Sequence, residues 1–99
     1  MTISHNENER RFECPVDGGL AFAEYNRDGD QITFIHTEVP PEAEGKGVAG
    51  EIVAAALAYA RENELQVVPQ CAYVQSFLER HREWQDLVDP EYRSPAHGT

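Results

Sequence analysis

Ninety-nine residues, 40% of them apolar, suffice for one domain with one modest core and leave no room for a second. The formal net charge of −10 disfavours nucleic acid, whose phosphates would be repelled at long range, and mildly favours a cationic substrate such as an amine. Two distant cysteines, Cys14 and Cys71, without a Cys-x-x-Cys pair or clustered histidines, argue for free thiols, no disulfide framework and no metal.

Met1 to Glu9 is polar, carries little to bury and lacks the apolar core of a signal peptide, so residues 1–9 read as a flexible arm. No apolar run approaches membrane-spanning length, and the expectation is a soluble cytoplasmic protein without a membrane partner. Order should begin near Arg10 and extend to Val88. Arg11 to Cys14 reads as a short strand stopped by Pro15 and the turn Asp17-Gly18-Gly19. Leu20 to Tyr25 and Gln31 to Val39, joined through Asp28-Gly29, read as an antiparallel hairpin. Strict alternation would put Ile32, Phe34, His36 and Glu38 on one face, with Thr33, Ile35, Thr37 and Val39 on the other.

Pro40-Pro41 ends that strand, and a helix is expected from Val48 to Asn63, with Ile52, Val53, Ala56, Leu57 and Ala60 as its buried stripe. Leu65 to Pro69 is then a strand parallel to the one ending at Val39, because a helical crossover joins them. Tyr73, Val74, Phe77 and Leu78 repeat like one face of a second helix ending near Arg82, and Trp84, Leu87 and Val88 fold back over the core. The composition turns polar again over residues 89–99, read as a tail.

Between Pro40 and the first helix lies Glu44-Gly45-Lys46-Gly47-Val48-Ala49-Gly50. Its glycines let backbone approach a ligand, and the helix start presents unpaired N–H groups and a positive dipole end, a combination suited to phosphate or diphosphate. The letters match Gly-x-Gly-x-x-Gly, but the dinucleotide reading fails. Five residues, Pro40 to Glu44, separate the strand from the first glycine, and the next strand lacks an acidic residue at its end. A nucleotide P-loop fails too, since Gly50 is followed by Glu51-Ile52 and not by Lys-Ser/Thr. A ligand-free glycine-rich turn is the alternative.

This loop, preceded by Val39-x-Pro41 and following a hairpin, resembles the acetyl-CoA loop of the GCN5-related N-acetyltransferases. His36-Thr37-Glu38-Val39, Pro69-x-Cys71-x-Tyr73-Val74 and Phe77-x-x-x-His81-x-x-Trp84 further resemble a compact subgroup of about one hundred residues. The resemblance implies a small α/β fold: antiparallel hairpin strands, then a βαβ unit with a CoA-binding splay between its strands, and a C-terminal helix. It implies that the N–H groups of Gly45, Lys46, Gly47, Val48, Ala49 and Gly50 hold the diphosphate of acetyl-CoA, that Thr37 and Val39 line the pantetheine arm, and that Cys71 sits near the thioester sulfur. The chain departs from the superfamily at Glu44, which replaces a glutamine or arginine, and at Leu78, near where many members carry a tyrosine that protonates the departing thiolate.

Acetyl transfer needs a neutral amine, a polarised carbonyl and a route for protons. His36 and Glu38 are the candidate bases. Their structural alternatives are a hydrogen-bonded histidine and an exposed strand-end charge. Cys71 is either a nucleophile favoured by a helix starting near Ala72, a pocket wall, or a structural thiol. Tyr73 and Phe77 read as core, Arg80-His81-Arg82 as a solvated helix end, and Cys14 as packing. The expected function is acetyl transfer from acetyl-CoA to a small-molecule or protein amine. The rivals are a CoA-binding module without turnover and an acidic protein-interaction domain.

Overall fold

A computed structural model describes residues 2–92. Five strands form one sheet in chain order: β1 (Ser4–Asn6), β2 (Arg11–Val16), β3 (Gly19–Asp28), β4 (Gln31–Glu38) and β5 (Gln66–Pro69). The first four run antiparallel, and β5 lies parallel to β4. Two helices, α1 (Val48–Glu62) and α2 (Ala72–Arg80), follow β4 and β5.

The expected hairpin and crossover are present, with strand ends differing where local chemistry allows. β2 continues through Pro15, which pairs with Leu20. Because β1 ends opposite Glu13, β2 has an open edge at Pro15, where no donor is required. The arm expected over residues 1–9 is corrected by β1. His5 stacks on Phe12 with ring centroids 4.1 Å apart, meets the Tyr59 ring edge-on at 4.6 Å and hydrogen-bonds the Tyr25 hydroxyl. A single aromatic contact set thus orders a run whose polarity alone argues for disorder. At the other end, Asp89 donates its N–H to the Val67 carbonyl at 2.9 Å and Val88 bridges to Val67, so order reaches the 3-10 turn Pro90–Tyr92. The remainder of the expected tail lies outside the described residues.

α1 buries the predicted stripe, Ile52, Val53, Ala56, Leu57 and Ala60, against Phe12, Cys14, Ala21, Ala23, Ile32 and Phe34 of the sheet. Its alanines keep side chains short and let the helix approach the strands closely. Val74, Phe77 and Leu78 of α2 enter the same core, and Trp84 and Leu87 pack against its margin.

Strict alternation fails at one residue. The pairing of β3 with β4 slips between Glu24 and Tyr25, leaving Ile35 as an extra residue in β4. Such a bulge reverses which side chains face the core beyond it. Thr37, opposite buried Ala23, therefore shares the inner face with Ile32 and Phe34, while His36 and Glu38, opposite Glu24 and Phe22, turn outward. The expectation that His36 and Glu38 share a face with Ile32 and Phe34 is thereby corrected.

Candidate active site

β4 outruns its parallel partner. The last pair is Phe34 with Pro69, and the Phe34 carbonyl then accepts the N–H groups of both Gln70 and Cys71, at 3.1 and 2.9 Å. Beyond this point β4 continues to Glu38 with no strand beside it on that edge, which opens the splay between β4 and β5.

Pro41–Ala43 forms one 3-10 turn, Glu44 is extended, and the chain then reverses through Gly45 and Gly47 at φ +82° and +78°. For any residue with a Cβ, that left-handed conformation costs about 1–2 kcal/mol. Gly47 caps α1 without a side-chain hydrogen bond, and the first helical bond runs from Glu51 N–H to the Gly47 carbonyl at 3.2 Å. Among the described residues nothing accepts the N–H groups of Gly45, Lys46, Gly47, Val48, Ala49 or Gly50. Six consecutive donors and the helix dipole thus gather at one place, a cradle for an anion.

These donors border a cleft of about 320 Å³ lined by Thr37, Val39, Glu44, Gly45, Val48 and Tyr73, with Gly47, Ala49 and Gly50 at the helix start. Two candidates stand apart from its wall. Lys46 turns to solvent and meets Asp17 at 3.7 Å, so it contributes its N–H rather than its charge. Cys71, only 8% exposed, lies beside Thr37, with Sγ 3.4 Å from Thr37 Oγ1. Cys71 is also the residue capping α2, as a helix starting near Ala72 requires. Cys14 is fully buried in the core.

His36 Nε2 lies 3.1 Å from Glu38 Oε1, and both side chains are more than half exposed, with the His36 ring edge-on to Phe22 at 6.0 Å. The site therefore has two sides. Thr37, Cys71 and the glycine loop belong to the inner face, and His36 and Glu38 to the outer face.

Tyr73, read from sequence as core, is the functional residue that pattern reasoning missed. A methyl group on Gly50 would sit 3.5 Å from the Tyr73 hydroxyl, which therefore overhangs the helix start, and no described residue hydrogen-bonds that hydroxyl. Leu78, the position where tyrosine was sought, is buried in the core. The available signal was Gly50 itself, whose missing side chain leaves room for the tyrosine one turn before Phe77. Among the described residues no group of three or more His, Cys, Asp or Glu could hold a metal.

A splayed β4/β5 pair with an amide-lined glycine turn opening the intervening helix defines an acyl-CoA-type transferase fold. The GCN5-related N-acetyl-transferase family model matches residues 11–87, and the chain belongs to that family. It is 30% identical to the protein NATD1 of Bos taurus over 82% of this chain and 74% of that protein, and 29% identical to NATD1 of Homo sapiens over the same shares. A GCN5-like protein from Staphylococcus aureus, solved by NMR in solution, superposes with a TM-score of 0.74 at 28% identity, covering 98% of this chain and 93% of that one. No helix among the described residues is long and apolar enough to cross a membrane.

Proposed function

We propose that the protein transfers an acetyl group from acetyl-CoA to the nitrogen of an amine. The observation that carries this reading is the run of main-chain donors from Gly45 to Gly50, none of which has an acceptor among the described residues. The donor's diphosphate would take these hydrogen bonds, which are strengthened by its charge. Its pantetheine arm would follow Val39 and Thr37 along the cleft and bring the thioester toward Cys71.

The amine lone pair forms the new N–C bond, the C–S bond breaks with its electrons on sulfur, the amine loses a proton and the thiolate gains one. The Tyr73 hydroxyl, without a partner in the cleft wall, is the proton donor to sulfur. His36, backed by Glu38, accepts the amine proton through water from the outer face. Direct attack is favoured over an acetyl-cysteine relay, because the Thr37 hydroxyl is the polar side chain at the Cys71 thiol and supplies no base. The acceptor class is an amine of a small molecule or a protein. Glu44, a carboxylate in the cleft, weakens the hold on the diphosphate and is the feature that favours the rival reading of a CoA-binding module.

Thiol release from acetyl-CoA, measured with spermidine, lysine peptides and a no-amine blank, tests this reading. Amine-dependent release is expected. Tight acetyl-CoA binding with release at the level of the blank would leave the binding module, and absence of binding at millimolar ligand would leave an acidic interaction domain.

A further inference from the structure

Behind the helix start lies a second groove, of about 410 Å³, that shares Gly47 and Gly50 with the cleft. Its walls are Phe77, His81 and Trp84, and its rim carries Glu51 and Glu83. The Phe77 and His81 rings lie 4.3 Å apart, and the His81 side chain is 46% exposed. No lysine or arginine lines the groove. The nearest guanidinium, Arg61, sits 5.2 Å from the Trp84 ring and is engaged by both carboxylate oxygens of Asp86 at 2.8 and 3.0 Å.

The argument rests on the donor reading above. Coenzyme A extends in two directions from its diphosphate, with pantetheine on one side and adenosine 3′-phosphate on the other. With pantetheine in the first cleft, the nucleoside leaves across the same two glycines into the second groove. Aromatic walls suit a base, which stacks on rings without needing a hydrogen-bond code. Two carboxylates and no free cation repel a phosphate. We infer that this groove takes the adenine ring by stacking on His81 and Trp84, that the 3′-phosphate points to solvent unread, and that the enzyme uses acyl-dephospho-CoA as well as acyl-CoA.

Trp84 is the single tryptophan of the chain and so reports directly on the groove. Its fluorescence is followed while CoA, dephospho-CoA or 4′-phosphopantetheine is added to the full-length protein. CoA and dephospho-CoA are expected to change the emission and to bind within about threefold of each other, whereas loss of the stacked base weakens phosphopantetheine about tenfold without changing the emission. His81→Ala, at an exposed ring, and Trp84→Leu should each weaken CoA several-fold and leave phosphopantetheine binding unchanged. A preference for CoA over dephospho-CoA of more than about tenfold, the mark of a charge-assisted phosphate contact, would overturn the inference. So would CoA binding, followed by calorimetry, with silent tryptophan emission and no loss in either variant. Absence of CoA binding altogether would remove the donor reading itself.

Discussion

The two ends of α1 are built on opposite rules. At its C-terminal end, Tyr59 joins His5, Phe12 and Tyr25 in a ring cluster, and Arg27 donates to the Tyr59 hydroxyl. At its N-terminal end, two glycines hold a left-handed backbone and six N–H groups are unmatched within the described chain. One end gains stability by completing its contacts, and the other keeps donors available at a cost in stability. The contrast locates function where satisfaction is incomplete.

Truncating the well-packed end should have the largest effect. Phe12→Ala removes the ring on which His5 stacks and is expected to cost about 3–5 kcal/mol of unfolding free energy. At a temperature where the variant is folded, its KM for acetyl-CoA should be unchanged, which urea titration and steady-state kinetics together check. An equal loss in KM would break the separation between the two ends.

At the open end the order reverses, with activity falling more than stability. Tyr73→Phe keeps the ring and removes the hydroxyl. Loss of a general acid typically lowers kcat about 100-fold or more, with little change in melting temperature. Gly47→Ala forces a Cβ into the left-handed region, with a stability loss of about 1–2 kcal/mol and a clear loss of CoA affinity. Gly50→Ala sharpens the comparison, because its new methyl would make only ordinary contacts with Tyr73 and Phe77 and α1 has no strain to relieve there. Stability should hold while donor binding weakens.

Smaller effects follow from His5 and Cys71. Burial pushes the His5 pKa down, opposed by the Glu7 carboxylate and aided by Arg27. The unfolded chain therefore binds the proton more readily than the folded one. Stability from this group is complete above the ordinary histidine value of about 6.5 and is lost as pH falls below it toward the lowered folded value. His5→Gln should flatten that part of the stability profile, and a profile unchanged by the substitution would remove His5 as its source. Cys71→Ala should leave turnover within a few-fold, since attack is direct; a loss as large as that of Tyr73→Phe would restore the covalent relay.

Much of this was legible in the sequence because it is written in periodicity and in turn chemistry. The stripe from Ile52 to Ala60 announced α1, Pro40-Pro41 ended β4, and the glycines marked the loop. What escaped notice depended on tertiary pairing. Nothing in Gln31 to Glu38 signals that Ile35 is looped out, since the slip is imposed by the partner strand, yet it decides that Thr37 faces Cys71 while His36 and Glu38 face away. β1 escaped because one histidine makes its contacts through rings far along the chain. Tyr73 escaped because its periodicity with Phe77 is that of a core residue, and only the space above Gly50 gives its hydroxyl another use.

The most direct test of the central claim is an amide-resolved NMR titration with CoA. The account expects the largest shifts at the N–H groups of Gly45 to Gly50, lost when pantetheine replaces the diphosphate-bearing ligand. Saturable CoA binding that leaves those six amides unmoved would contradict it.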